Sequence, residues 1–392
     1  MILRGAVAAL ALAACAGGRE RSGVASARGW YYADNSGLDV ATVAVDADQA
    51  VSERVSVDGR VLLDRVTLRR QQIDPTDPGH QHDPGGHQHD HQSPDAVTSA
   101  STLAGGGANA DEDRWEGRVR AVYRDHDRDD RPWQAWAGVR GSTEPDYLAL
   151  SVVAGGSIEL AQRNTTVAGE LGYGRDVATP VEAPPGQDDA WPASHQRVTA
   201  SLSLSQVATR WLVVSAGVAT TFQRGQLASP YRRALVSTSL FPEEVPDARD
   251  RYLGFVAAHA ALSAKTAAHL RLGGYRDSWS VAAIIPEVAL ARVLGARGLA
   301  TAAYRYYRQA AADFYRHHYD DLAPMLSGDS RLGPVRAHTA GLHLRWTVRG
   351  SRGERGALTA EAGYQWMRFD FPLQASDAVI GHQAALGMSG EY

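Results

Sequence analysis

The alternation of apolar and polar side chains constrains this chain more than any other feature. From Val198 to Ser205 every even position is apolar and every odd one carries a hydroxyl. From His338 to Arg349, Ala340, Leu342, Leu344, Trp346 and Val348 share one face, while Thr339, His343, Arg345, Thr347 and Arg349 share the other. Successive side chains of a β-strand point to opposite faces, so each stretch reads as a strand with one apolar and one polar side. Where many strands repeat this and the polar side carries arginines, the expected object is a membrane barrel with a polar lumen.

About sixteen candidate strands follow from alternation and turn residues. They fall at 29–33, 38–47, 51–66, 112–125, 132–142, 146–161, 165–176, 196–208, 211–223, 250–264, 267–277, 279–293, 297–309, 334–349, 356–370 and 378–392. Most reach the roughly 10 residues that a tilted strand needs to cross a bilayer. Short connections sit at Asp48–Ala50, Gln162–Asn164, Thr209–Arg210, Ala264–Thr266 and Gly295–Arg297. Long ones sit at Arg69–Asp111, Val177–His195, Arg224–Arg249 and Ala310–Gly333. Short periplasmic turns and longer external loops are the habit of outer-membrane barrels. With a periplasmic N-terminus, every long connection lands outside, provided that 29–33 is the first strand and Tyr231–Leu240 belongs to an external loop. The expected fold is all-β: an antiparallel transmembrane β-barrel over residues 28–392, with a long external insert at 69–111.

Parity also predicts the faces. In the third strand Val55, Val57, Val61 and Leu63 face lipid, while Arg54, Ser56, Asp58 and Arg60 face the lumen. In the fourth, Trp115, Val119, Ala121 and Tyr123 face out, while Glu116, Arg118, Arg120 and Arg124 face in. In the thirteenth, Ala302, Tyr304 and Tyr306 oppose Ala303, Arg305, Tyr307 and Gln309. Arg54, Arg60, Arg118, Arg120, Arg305 and Arg345 are thus the predicted lumen arginines. An arginine on the lipid side costs about 2–4 kcal/mol at mid-bilayer, so their sorting to one face is informative. Trp30, Tyr31, Trp115, Trp133, Trp136, Tyr275, Trp279 and Trp366 lie near predicted strand ends, which suits interfacial girdles. The chain ends at Tyr392, preceded at alternate positions by Gly390, Met388, Leu386 and Ala384. A terminal aromatic on an alternating strand is the feature that barrel-insertion machinery reads, although Gly390 stands where a larger apolar residue is usual.

Composition narrows the rest. The 392 residues carry a formal net charge of −4, which leaves no basic footprint for nucleic acid. Past the N-terminus no apolar run is long enough for a spanning helix. Arg4 followed by the apolar run Ala6–Ala14 reads as a secretory signal within residues 1–27. Two processing sites are open. Leu12-Ala13-Ala14-Cys15 resembles a bacterial lipobox, in which Cys15 becomes a lipidated N-terminus; Ala25-Ser26-Ala27 fits an A-x-A cleavage pattern. Cys15 is the single cysteine, so no disulfide within the chain and no cysteine zinc site is expected.

The sharpest local motif lies in the predicted external insert, where His80, His82, His87, His89 and His91 are spaced His-x-His and His-x-His-x-His. Asp77, Asp83 and Asp90 accompany them. Imidazole suits Zn²⁺, Cu²⁺ and Ni²⁺, and carboxylates can complete a shell. The surrounding Pro and Gly keep the segment out of a sheet. Its functional reading is metal capture at the cell surface; the bland reading is a solvated, variable loop. Catalysis would need a nucleophile, its base or a carboxylate pair converging in one cleft. His317, His318, Asp320 and Asp321 share a predicted loop and His343 faces the lumen, but no nucleophile-elbow or metalloprotease spacing is present. A non-enzymatic barrel is expected: a channel, transporter or surface anchor for small polar solutes or metal ions. The alternative is a metal-binding module carried on a barrel. The expected partners are outer-membrane lipid and the insertion machinery.

Several phrases resemble an uncharacterised bacterial outer-membrane family, domain of unknown function 3570. They are Ser142-x-Glu144-x-Asp146-Tyr147, Asn164-Thr165-Thr166, Ser229-Pro230-Tyr231-Arg232, Glu243 with Pro246 and Arg249, and Tyr275-Arg276-Asp277-Ser278-Trp279. Arg305-Tyr306-Tyr307-Arg308-Gln309 with Phe314-Tyr315, and Ser327-Gly328-Asp329-Ser330-Arg331-Leu332, complete the series. The resemblance runs from about Gly23 to Tyr392 and implies an outer-membrane β-barrel. It transfers no activity, and the histidine-rich segment is not part of it. In physical terms, Tyr275–Trp279 reads as a tight external turn with Asp277 at its tip. Arg232, Glu243, Glu244, Arg249, Arg251, Asp313 and Arg331 could pair to fold the loops over the pore.

If the histidine segment binds zinc or copper, retention should collapse as imidazole protonates below about pH 6. Metal retention measured across that range checks this; unchanged binding at pH 5 would exclude histidine ligation.

Overall fold

The computed structural model describes residues 23–68, 110–127, 129–179, 192–350, 356–373 and 378–392. The described residues form eighteen strands: β1 (Gly23–Asp34), β2 (Leu38–Ala50), β3 (Val55–Leu68), β4 (Ala110–His126), β5 (Pro132–Glu144), β6 (Tyr147–Leu160), β7 (Thr165–Ala178), β8 (Ala193–Thr209), β9 (Leu212–Gly225), β10 (Arg233–Val236), β11 (Ser239–Pro242), β12 (Ala248–Ser263), β13 (Thr266–Asp277), β14 (Ala282–Leu294), β15 (Gly298–Gln309), β16 (Val335–Arg349), β17 (Leu358–Asp370) and β18 (Val379–Glu391). All but β10 and β11 form one closed antiparallel barrel, in which each strand pairs with its sequence neighbours and β1 returns to β18. Among the described residues no helix is long and apolar enough to cross a membrane, and the wall is made of strands instead. Closure is what lets strands do this, because no backbone N–H or C=O along the wall is left facing lipid without a partner.

The register carries one consistent parity around the ring. Leu148, Leu150, Val152, Leu171, Leu202, Val218, Val256, Leu270, Leu342 and Leu386 are all well exposed on the outer face. Ser201, Ser203 and Ser205 point the other way, opposite Ala219, Gly217 and Ser215 of β9. A soluble protein does not display so continuous an apolar surface; a transmembrane barrel must. Charged residues on that face keep to strand ends. Arg175, Arg224, Arg276, Arg308, Arg336 and Arg368 are exposed at the loop end of their strands. Beneath this rim sit outward Tyr–His pairs: Tyr304 Oη lies 2.7 Å from His338 Nδ1, and Tyr364 Oη lies 2.7 Å from His382 Nδ1.

The seam between β1 and β18 begins earlier than alternation alone suggests. Gly23 and Tyr392 exchange two backbone hydrogen bonds of 2.9 Å. Val24 to Ala27 face Glu391 to Met388 in register. Among the described residues the wall already includes Gly23 to Ala27, and a cut after Ala27 would remove these residues from β1. The Tyr392 ring lies across Gly23, where a Cβ would come within 2.6 Å of it.

Other boundaries move for local reasons. The predicted third strand starts four residues too early. Val51–Arg54 is a turn, in which the Val51 and Ser52 N–H groups both donate to the Val55 carbonyl. Asp48-Gln49-Ala50, predicted as the connection, instead continues β2. The aromatic girdle is thinner than expected. Tyr31 and Trp115 are exposed on the outside, but Trp30 lines the lumen, Trp136 donates inward to Glu170 at 2.8 Å and Trp279 is buried.

Placing an arginine on the outer face at Leu202→Arg should destabilise the barrel by about 2–4 kcal/mol. Ser203→Arg, one residue along and facing inward, should cost far less. Urea unfolding into lipid vesicles measures both, and equal costs would contradict the assignment of faces.

Candidate functional site

The inward face holds the charged residues, and it is divided. On the β2–β7 wall, Asp46, Asp48, Asp58, Asp64, Glu112, Glu116, Glu144, Glu159, Glu170 and Asp176 face Arg60, Arg114, Arg118, Arg120, Arg124 and Arg140. This wall is a ladder of shared ions. Asp58 accepts from Arg118 Nη2 at 3.1 Å and from Arg120 Nε at 2.6 Å. Glu116 accepts from Arg114 Nη2 at 2.8 Å and from Arg140 Nη2 at 2.6 Å. Arg60 lies 3.8 Å from Asp46. Asp58 and Asp64 are buried among these partners. Removing an arginine would leave a desolvated carboxylate, which costs far more than an exposed pair gains.

The facing β12–β17 wall has the opposite balance. Arg249, Arg251, Arg271, Arg305 and Arg345, with His259, His269 and His343, stand against Asp277, Glu287 and Glu361. Glu361 is the hub of its periplasmic half: Arg345 Nε is 2.8 Å away, and Arg28 Nε and His343 Nε2 are each 3.7 Å away. These four side chains, with Trp30, Gln365 and Gln383, line a recess of about 370 Å³. Arg305 pairs with Glu287 at 3.5 Å, and the Arg271 guanidinium lies 4.3 Å over the Phe255 ring. His259 and His269 form a cross-strand pair, with their Nδ1 atoms 3.0 Å apart.

Of the predicted lumen arginines, Arg60, Arg118, Arg120, Arg305 and Arg345 all carry inward parity. Arg54 does not face the lumen. It belongs to the turn before β3, and its Nη1 donates to Asp125 at 2.8 Å on the outward rim. Cys15 and His80, His82, His87, His89 and His91 lie outside the described residues. His317, His318, Asp320 and Asp321 are exposed in the loop after β15, with His318 Nε2 4.0 Å from Asp320. The structure does not bring them into a cleft. The pair His259/His269 was missed, because turn position alone does not pair the two: a register shift between Ala261 and Ser263 moves the partner of His259 one position from the one that a plain turn at Ala264–Lys265 gives it.

The external loops pack on each other and against the inner wall. β10 and β11 form a hairpin, linked to the loop after β15 by bridges Val236–Tyr319 and Glu244–Leu326. Ala234, Val236, Tyr319 and Leu326 make one small core; Trp279, Val281, Ala312, Tyr315 and Leu332 make another. Inward Gln309 pins the same loop by donating to the Arg331 and Gly333 carbonyls at 2.6 and 2.8 Å. Asp277 is not the exposed tip of a turn. It ends β13, is buried, and accepts from the Trp279 and Val281 N–H groups at 3.0 and 2.9 Å and from Arg249.

A buried ion cluster joins the two loops. Arg232 lies 3.2 Å from Asp329 and 3.9 Å from Glu243. Arg331 Nε is 2.9 Å from Asp329. Glu243 accepts from the Ser229 N–H at 2.7 Å and from the Ser327 hydroxyl. Burial raises the Glu243 carboxyl above its ordinary range, and nearby Asp329 adds to that, while Arg232 opposes it. Burial works on Asp329 in the same sense, but Arg232 and Arg331 outweigh it and hold this carboxyl low. The signs are opposite. Glu243 favours the folded loops while protonated, so its contribution fades as pH rises from its unfolded value through its raised folded one. The contribution of Asp329 is present above its unfolded value and lost as pH falls through its depressed one. Glu243→Gln should therefore flatten the alkaline-side loss of loop protection, and Asp329→Asn should weaken the loops at neutral pH. Hydrogen exchange over 226–247 and 310–334 against pH reads both; an unchanged alkaline slope in Glu243→Gln would refute the assignment.

The chain aligns over 95% of its length with 98% of a bacterial polysaccharide outer membrane secretin, at 9% identity and a TM-score of 0.49. It covers 95% of itself and 98% of Pseudomonas aeruginosa OpdK with vanillate, at 10% identity and 0.41. Against the ferric enterobactin receptor PfeA it covers 90% of itself but spans only 54% of that chain, at 11% identity and 0.45. No curated protein sequence matches the chain. The model of one family matches residues 6–358, and the chain belongs to that family, proteins of unknown function described as DUF3570.

Proposed function

We propose that this outer-membrane barrel is a channel for small polar solutes, whose charged ends are oriented between its two inner walls. The carrying observation is the division of the lumen: ladder carboxylates over β2–β7, and arginines with histidines over β12–β17. Barrels of 16–18 strands leave room for an aqueous path. Opposed rings of charge select solutes by the field they set up and by the hydrogen bonds they offer. The recess beside Arg28, His343 and Arg345 offers donors for a carboxylate or phosphate, with Glu361 tempering the local charge.

The purified full chain in planar bilayers tests this. It should conduct, and Arg28→Ala with Arg345→Ala should shift ion selectivity toward cations. Absence of conductance, or a selectivity unmoved by the double substitution, would contradict the reading.

A second reading, metal handling, is favoured by the His259/His269 pair in the lumen. Two nitrogens on one tetrahedral zinc lie roughly 3.4 Å apart, close to the separation of these rings. Deleting Gly79 to Gln92 and replacing His269 by Ala separates capture outside from binding inside. If neither change lowers zinc or copper binding, the metal reading falls while the channel reading stands.

A further inference from the structure

We propose that the outward rim of β13–β16 binds the phosphorylated headgroup of a glucosamine lipid of the outer leaflet, with Arg308 and Arg336 sharing one phosphate. The site lies on the outside of the wall and does not rest on the channel reading. Its first sign is a repulsive pair. Arg308 of β15 and Arg336 of β16 are opposite each other in the register, and both are exposed on the outer face. Like charges directly opposite on neighbouring strands destabilise a sheet, so the pair is unfavourable until an anion joins it. Arg276 stands two strands away, opposite Ala282, and Ile284 of β14 faces Arg308.

No described carboxylate relieves this repulsion. Elsewhere on the same rim Arg224 is held by Asp250, and Arg368 by Asp370 at 2.9 Å. Asp370 is opposite Arg336 in the register, but its carboxylate turns to Arg368, which donates through Nε and Nη2. Among the described residues Arg276, Arg308 and Arg336 form no ion pair and no side-chain hydrogen bond. A guanidinium presents its donors as a fork that matches two phosphate oxygens. Two such forks on strands about 4.8 Å apart suit one shared phosphate.

Below these charges the outer face changes in layers that match a glycolipid. The register sets Tyr306, His338 and Arg368 in one row, and Tyr304, Ala340, Trp366 and His382 in the next. Tyr304 Oη is 2.7 Å from His338 Nδ1, and the Tyr306 ring centroid is 5.1 Å from that imidazole. Exposed Leu342, Leu344 and Leu386 follow deeper in the wall. Two residues advance roughly 7 Å along a strand, or roughly 5 Å of depth at the tilt of a barrel. The two mixed rows therefore span roughly 10 Å between charge and aliphatic wall. Sugar rings fill such a layer, whereas a glycerol does not. Phenol, indole and imidazole offer it flat faces and hydrogen bonds together. Charge, mixed aromatics and aliphatics thus stand in the order of phosphate, sugar and acyl chain. An acidic protein would match the charge but not the aliphatic rows.

Native mass spectrometry of the full chain in detergent, titrated with bisphosphorylated lipid A, reads the site. The wild type should hold lipid A, and Arg308→Gln with Arg336→Gln should weaken binding roughly tenfold or more. The same double variant should unfold in lipid-free detergent at or above the wild-type temperature, because it removes the repulsion. Lipid A stripped of phosphate, and phosphatidylglycerol, should each bind the wild type roughly tenfold more weakly. Arg336→Gln alone tests the pair should the double variant not insert. Variants that bind as the wild type does, or equal binding of the stripped lipid or of phosphatidylglycerol, would overturn the proposal. A photo-crosslinker placed at Ile284 in native outer membranes should capture lipopolysaccharide; capture of a protein in its place would overturn it too.

Discussion

The closing pair of β1 and β18 is the interaction on which everything else depends. In a bilayer no water is available to satisfy a strand edge, so an open sheet of this kind would expose a row of unpaired amides to hydrocarbon. Eleven paired positions from Val24–Glu391 to Asp34–Gly381, with the Gly23–Tyr392 bonds below them, abolish that edge. Closure also fixes parity. Once β1 and β18 agree on which residues face inward, a one-residue slip anywhere in the ring would turn arginines to lipid. The charged lumen and the apolar exterior are thus two consequences of one register.

The inner surface is not uniform along its axis. Toward the loops, Tyr32, Leu38 and Val40 form a buried apolar cluster, and Val335, Phe371 and Val379 form another with Tyr307 and Phe369 beside it. Many of these side chains have inward parity, so the external third of the lumen is partly filled by packed hydrophobics. The polar recess lies nearer the periplasmic end. Above both, the Arg232–Glu243–Asp329 cluster holds the β10–β11 hairpin to the loop after β15. Solute would meet a structured mouth before it met the charged walls.

Much of this was legible in the sequence. Period-two alternation located all sixteen barrel strands, because one face of each strand must meet lipid and the other water. It failed where side chains fold the backbone locally. Asp277 caps the next turn with two hydrogen bonds, so Trp279 is drawn into a loop core instead of a membrane girdle. Arg54 shares the parity of Ser56, but the turn before β3 carries it outward to Asp125. The balance of the lumen was not legible either. Arginines stood out in each strand, whereas their carboxylate partners come from neighbouring strands and emerge only with the register.

The central claim is that one parity, carried around a closed ring, separates lipid from lumen. Single-cysteine labelling along β16 in native outer membranes tests it most directly. Leu342→Cys, His343→Cys, Leu344→Cys and Arg345→Cys would each be exposed to a water-soluble maleimide, with Cys15 replaced so that it does not contribute. The account predicts strict alternation, with positions 343 and 345 labelled and 342 and 344 protected. Uniform labelling, or protection of 343 and 345 alone, would contradict it.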